Sequence, residues 1–382
     1  MIKAYSYRIY PNQKQIELFE KHFGCVRYVY NYGLQRKIEE YEKTEKSPSC
    51  FDLIKEITKL KKDLLWLSDV NAQSLQMSLR NLDNAYTRFF REHKGFPKFK
   101  NKNSQQSFSC PQEVKLVGKY LSIPKIKNIK CVIDRNFEGK IKTTTIKKTT
   151  TGKYFVSILV DNGKELPKKM KIEKAIGIDL GIKTFATIST GEKIDNPRHL
   201  NNSLKRLKVL QRRLSKKKKG SNNRLKAKYK VALLSEKIAN QRKDFLHKLS
   251  TRLVSENQAI CLEDLNVSGM IRNHCLALHI QDCGWSEFVR QLEYKSEWSG
   301  KHIFKIGRFQ PSSKICSCGA INHDLELSDR VWTCKVCGLT NDRDILASQN
   351  ILKFSGQGLS DVSVEMLSLD KSMKQKTICS IP

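Results

Sequence analysis

The segment AIGIDLG, residues 175–181, constrains this chain more than any other. Ile176, Ile178 and Leu180 alternate with Gly177, Asp179 and Gly181. That period of two predicts a β-strand with a buried aliphatic face and Asp179 on the other side. A carboxylate within an aliphatic strand is costly unless it is paired or metal-bound. Its flanking glycines are expected to leave room beside it for a cation and a phosphate. In AICLEDL, Ile260 and Leu262 alternate with Cys261 and Glu263, and the chain leaves the strand at Asp264. Glu263 thus falls at a strand end, where site residues gather. In NDRDILASQNI, Asp344 precedes an apolar helical stretch, and Asp342 two residues earlier could equally be ligand or helix cap. Any one such acid is more often a cap or a solvated charge. Together, on strand, strand end and helix start, Asp179, Glu263 and Asp344 form a candidate site for a divalent metal.

At 382 residues the chain has room for two or three domains. Its 71 Lys+Arg against 38 Asp+Glu give a net charge of +33, which opposes compaction unless a polyanion neutralises it. Nucleic acid is the expected partner. A membrane is not, because no apolar run approaches the roughly 20 residues of a spanning helix, and the start MIKAYSYRIYP lacks an apolar signal core. A cytosolic protein is expected, with most of its 12 Cys reduced in apolar strings, as at Cys131 and Cys261.

Residues 2–9 read as a strand stopped by Pro11, followed by a helix carrying Ile16, Phe19 and Phe23 that ends at Gly24, then a second helix with Tyr28, Tyr30 and Tyr32. Stripes at Ile54, Ile57 and Leu60, and at Leu75, Leu79, Leu82, Tyr86 and Phe89, complete a helical unit over 11–95. From about 105 the texture turns to short strands, among them VKLVGKYLSIP and the pair IKTTTIKK and YFVSILVD, which suits a small β-barrel joined by residues 2–9.

Over 203–256, Leu204, Leu207, Leu210 and Leu214 mark one helix and Leu234, Ile238, Phe245, Leu249 and Leu253 a long return helix. The intervening turn carries Lys216, Lys217, Lys218 and Lys219. With Lys205, Arg206, Arg212 and Arg213, these residues are expected to contact phosphates. Farther on, Cys316 and Cys318 face Cys334 and Cys337 across 15 residues, which suits a zinc ribbon with four thiolate ligands. Its first knuckle is one residue short and is expected to give a poorer bite, with His323 as a substitute ligand.

Taken in order, these segments resemble the TnpB family of insertion-sequence proteins, from residue 1 to about 352. The likeness includes YRIYPNQKQ with GCVRYVYN, LQMSLRNLDNAYTRFF leading into GFPKFK, RKDFLHKLSTRLV, GWSEFVRQLEYKSEWSGK, and WTCKVCG followed by NDRD. The resemblance implies an α+β multidomain protein. Residues 1–10 and 96–168 would form a wedge β-barrel, and 11–95 a helical recognition lobe. Residues 170–352 would be an RNase H-like RuvC nuclease with the basic hairpin (203–256) and the zinc ribbon (312–340) inserted, and 353–382, with Cys379, a loosely ordered tail. It also implies an RNA-guided DNA endonuclease using about two Mg²⁺ ions at Asp179, Glu263 and Asp344, structural Zn²⁺, and a guide RNA from the transposon end. Double-stranded DNA would be cut beside a short flanking motif contacted by Gln76. The expected particle is a monomeric ribonucleoprotein in the prokaryotic cytosol, associated with the nucleoid.

Two departures stand out. The family usually has Asn two residues after the last Asp, where this chain has Leu346, and the first knuckle is short. They set an alternative beside the enzyme: a nuclease-deficient, RNA-guided DNA-binding repressor. A guide-independent resolvase or transposase would explain the carboxylates but not the helices and strands that precede them.

Overall fold

The computed structural model describes residues 1–356 except 309 and 327, and the chain divides into two compact units, Met1–Glu165 and Leu166–Pro382. Of the tail expected over 353–382, residues 353–356 continue a helix, and the rest, with Cys379, lies outside the described residues. No described helix is long and apolar enough to cross a membrane.

The first unit contains β1 (Ile2–Tyr10), α1 (Gln13–Thr44), α2 (Cys50–Asp63), α3 (Ala72–Glu92), β2 (Gln106–Cys110), β3 (Lys115–Val117), β4 (Tyr120–Ile123), β5 (Ile126–Val132), β6 (Lys140–Lys148) and β7 (Tyr154–Asp161). Its seven strands run in the order β2-β6-β7-β1-β5-β4-β3. The N-terminal strand is therefore central, antiparallel to both β7 and β5. The end strands β2 and β3 are not paired with each other, so hydrogen bonds do not close the expected barrel. Nor does α1 break at Gly24: it is one helix of 32 residues, opened by a capping box between Asn12 and Gln15. Gly24 costs a helix about 1 kcal/mol. Burying Phe19, Phe23, Val26 and Val29 on both sides of it contributes about 1.5–3 kcal/mol per large side chain, which settles the competition. These side chains, with Leu75 and Leu79 of α3, share one core with Phe108, Ile129 and Ile158 of the sheet. The helices over 11–95 and the strands over 96–168 thus form a single compact unit.

The second unit contains β8 (Ala175–Leu180), β9 (Thr184–Ile188), β10 (Lys193–Asp195), α4 (His199–Ser215), α5 (Asn222–Glu256), β11 (Ala259–Glu263), α6 (Val267–Met270), α7 (Ala277–Cys283), α8 (Trp285–Trp298), β12 (His302–Ile306), β13 (Val331–Thr333), β14 (Thr340–Asp342) and α9 (Arg343–Gly356). Five strands run in the order β10-β9-β8-β11-β12. The β8, β9 and β10 neighbours are antiparallel, whereas β8, β11 and β12 are parallel. Successive residues of β8 and β11 point to opposite faces. Ile176, Ile178, Ile260 and Leu262 pack with Leu249 and Leu253 of α5 and Phe288 and Leu292 of α8. Cys261 and Ile306 pack with Ile351 of α9 on the other face.

The space over Gly177 belongs to α9, not to a ligand. A Cβ there would lie 2.0 Å from the Ser348 carbonyl oxygen and 2.8 Å from the Leu352 amide. At Gly181 it would meet the Thr184 carbonyl at 2.7 Å. Both glycines permit close backbone approach, which at Gly177 corrects the expectation of space for a cation, whereas Gly181 also lines the cavity beside Asp179. Gly177→Ala is therefore expected to destabilise the second unit by about 1–3 kcal/mol, because backbone must give way. Thermal unfolding followed by circular dichroism would check this, and an unchanged midpoint would mean that α9 does not rest on β8.

Candidate active site

The parallel register of β8 and β11 pairs Ala259 with Ala175 and Leu262 with Ile178. Continued by one residue, it brings Glu263 level with Asp179 on adjacent strands, which are about 4.8 Å apart. Both carboxylates fall on the face that α9 covers. Because α9 begins at Arg343 and lies against Gly177, its first turn carries Asp344 to the same place. Asp179, Glu263 and Asp344 accordingly line one cavity of about 900 Å³, and each is half-buried.

Their proximity is visible in the energetics. Burial, then the charges of Asp344 and Glu263, push the Asp179 pKa from 3.8 up to about 7, with Arg343 pulling the other way. Burial also raises Glu263. Lys183, Arg198, Arg308, Lys314, Arg330 and Arg343 ring the same cavity. Three of them are already committed. Arg308 donates to the Asp264 backbone and side chain at 3.0 and 3.2 Å, Arg343 to the Glu326 carbonyl at 2.8 Å, and Arg198 to the Lys183 carbonyl at 3.4 Å. Arg330 lies 3.6 Å from Asp344 and is half exposed. An all-oxygen donor set whose central member resists ionisation suits a hard divalent cation. Such a cation would let all three carboxylates stay charged.

Asp342 has a different task. Its carboxylate accepts from the amides of Asp344 and Ile345, both at 3.1 Å, and pairs with Lys193 at 2.7 Å. Although burial opposes this, Lys193 and the two amides hold its pKa below the usual carboxylate value. It caps α9 and so orients Asp344.

The ligand atoms of Cys316, Cys318, Cys334 and Cys337 all lie within 4.8 Å of one another. Cys316 and Cys337 are 3.6 Å apart, and Cys318 and Cys334 are 3.7 Å apart. With Zn–S bonds of about 2.3 Å, a regular tetrahedron has sulfur–sulfur edges of about 3.8 Å. All four sulfurs, both of the short knuckle's included, thus lie close enough together to surround one ion. His323 is exposed and outside the group, so no substitute ligand is needed. Burial opposes ionisation of Cys316, but the Cys318 amide, the Asn341 side chain and the neighbouring thiols bring its pKa down to about 6.

Three family models match the chain: "Probable transposase" of the IS605 OrfB type over residues 156–274, "Helix-turn-helix domain" of the same type over 1–46, and "Cas12f1-like, TNB domain" over 285–351. A Streptomyces pristinaespiralis protein named "Putative RNA-guided DNA endonuclease" is 37% identical over 358 residues, covering 92% of this chain and 88% of its own. The Escherichia coli K12 protein "Putative RNA-guided DNA endonuclease InsQ" is 30% identical over 370 residues, 92% of each chain. The chain belongs to the TnpB family. A chain in the cryo-EM structure of a Cas12f1–sgRNA–target DNA complex shares the fold, with a TM-score of 0.53 at 16% identity over 89% of this chain and 83% of that one. The mixed α/β architecture and the four-cysteine ribbon of this TnpB-family protein agree with that likeness.

Leu346, the departure from the family pattern, is 3% exposed and lies in the ribbon core with Cys316, Leu325, Trp332 and Cys334. Four residues on, Asn350 donates to the Ser312 and Ile315 carbonyls, each at 2.7 Å. The helix that carries Asp344 is thus fastened to the ribbon at two points. The basic hairpin is formed by α4 and α5, one turn longer at its start than expected. Lys205, Arg206, Arg212, Arg213, Lys216, Lys217, Lys218 and Lys219 are exposed and, among the described residues, form no ion pairs. At the hairpin's root, Asp282 accepts from the Leu200 amide at 2.9 Å and pairs with Arg242 of α5 at 2.8 Å. Gln76 is exposed on α3 of the first unit. The cavity's ring of cations went unread in the sequence, since its members are scattered singly, although Lys183 and Arg343 lie in or beside recognised motifs.

The raised pKa of Asp179 has a signed consequence. The folded state holds its proton more tightly than the unfolded chain does. The stability this brings is complete below 3.8 and is lost as pH rises toward about 7. Metal-free protein should accordingly lose melting temperature over that window relative to Asp179→Asn, and divalent metal should reduce the gap. Parallel melting curves for the two proteins would show that Asp179 ionises freely.

Proposed function

We infer that this protein is an RNA-guided DNA endonuclease of the RuvC, RNase H-like type, hydrolysing phosphodiesters at Asp179, Glu263 and Asp344. The observation that carries the reading is the shared cavity. Three carboxylates come from neighbouring parallel strands and a capped helix, beneath a rim of Lys and Arg. The five-stranded sheet, with three antiparallel strands followed by two parallel ones and helices on both faces, supports the fold assignment.

Two hard divalent cations, magnesium above all, would supply there an activated water and charge neutralisation at the leaving 3′-oxygen. Asp179 and Glu263 would hold them from the sheet and Asp344 from the helix. Arg330, half exposed and 3.6 Å from Asp344, would meet a phosphate oxygen of the substrate. The α4–α5 hairpin would track the backbone of RNA or of the RNA–DNA duplex through phosphates. Sequence would be read by base pairing with the guide, and the first unit, wedge strands and recognition helices together, would meet the short flanking duplex through residues such as Gln76. The nuclease-deficient alternative draws on Leu346. That side chain lies in the ribbon core and not in the cavity lining, so its presence removes no ligand.

Alanine at Asp179, Glu263 or Asp344 should lower guided cleavage by orders of magnitude and leave RNA and target affinity unchanged. Asp342→Ala should instead cost about 1 kcal/mol of stability through the lost cap and retain partial cleavage. Cleavage assays beside gel shifts would separate the two. Normal cutting by Asp344→Ala, with Asp342→Ala inactive, would exchange their roles.

Replacing the eight hairpin cations with Gln should weaken RNA binding and flatten the dependence of log affinity on log salt, by up to about 0.9 unit per lost contact. Fluorescence anisotropy at several salt concentrations measures that slope. A slope equal to the unmodified protein's would assign these side chains to solvent.

A further inference from the structure

An aromatic cluster at the end of α3 has no part in the reaction described above. Tyr86, Phe89 and Phe90 on the helix and Phe96 beyond it have ring centroids 5.0–6.2 Å apart. Such clusters normally belong to cores, yet Phe90 is 68% exposed, Phe96 45% and the nearby Phe99 50%. The segment that presents them is fixed. Asn31 on α1 donates to the Lys100 carbonyl and accepts from its amide, both at 2.8 Å, and Pro97, which follows Phe96 in the sequence, is buried.

The charge around the rings selects the occupant. Residues 88–102 carry six Lys and Arg against the single acid Glu92. Among the described residues, Arg88, Arg91, Lys94, Lys98 and Lys102 form no ion pairs. Flat apolar faces bordered by unpaired cations match a chain with flat apolar units on an anionic backbone, which is a nucleic acid. Paired bases hide their faces inside the helical stack, so only unpaired bases fit. Large exposed apolar patches promote association unless they are covered. Of the two nucleic acids in the proposed function, the guide RNA is the standing component, whereas target DNA comes and goes. We propose that Phe90, Phe96 and Phe99 form a stacking platform for unpaired bases of the guide RNA. The proposal rests on the RNA-guided reading for the identity of that strand.

The test compares the full chain with a Phe90→Leu, Phe96→Leu variant, which keeps apolar bulk and loses the planar rings. The first probe is a labelled oligouridylate of about 12 nucleotides, within the span such surfaces cover, alongside duplex RNA of equal length. Affinity for the single strand should fall about 5- to 150-fold, with an unchanged salt slope and unchanged duplex binding. Phe90→Trp should retain full affinity, and matched unfolding midpoints confirm that the variants fold. Equal affinity for variant and parent, or a loss shared by the duplex, would overturn the proposal.

In a second arm, RNA that copurifies with the protein is sequenced, transcribed and rebound. The variant should bind it more weakly, while complexes saturated with it should take up target DNA normally. Unchanged RNA affinity with weakened DNA uptake would overturn the assignment to the guide and give the platform to the target strand. If no RNA copurified, the RNA-guided reading would fail, and the oligouridylate measurement would still decide whether the rings stack on bases.

Discussion

Everything at the candidate active site depends on the seating of α9 against β8. A helix backbone can approach a strand this closely only where the strand residue lacks a Cβ, and Gly177 meets that condition with the Ser348 carbonyl directly above it. Moving α9 outward by the radius of one methyl group would lift Asp344 away from Asp179 and Glu263. The Asp342 cap then fixes where the helix begins, and hence which way its first turn faces. One glycine and one cap thereby convert a strand pair with two carboxylates into a cavity with three.

That convergence is unfavourable for folding. Like charges near one another in a partly dry site raise the proton affinity of the most enclosed one, as Asp179 shows. The rim of Lys and Arg offsets part of this repulsion, but its members are mostly held by other partners or turned to solvent. The site would thus suit an added positive charge, a common state of affairs where function and stability pull in opposite directions.

Much of this could be read from the sequence, because it rested on short-range periodicity. The alternation in AIGIDLG and AICLEDL identified both strands and the face of each, and the sulfur spacing identified the ribbon. What escaped was long-range. Gly24 reads locally as a helix end, but the packing of Phe19, Phe23, Val26 and Val29 on both sides carries α1 through it. Gly177 reads as empty space, but α9, some 170 residues later, fills it. The choice between Asp342 and Asp344 turns on which side chain faces its own helix amides, a matter of geometry that residue types leave open. How the short first knuckle aims its sulfurs is likewise a matter of geometry: the surrounding turns bring both within 4.8 Å of the other two.

Leu346 gives the ribbon and the nuclease a common part. It sits two residues after Asp344, yet its side chain completes the apolar centre around Cys316, Trp332 and Cys334. A change in that apolar centre would therefore reach, through α9, a carboxylate it does not touch. In evolutionary terms, a cutter could become a binder by a change in the ribbon alone, with all three acidic residues still in place. An inventory of acidic motifs would score such a descendant as an intact enzyme.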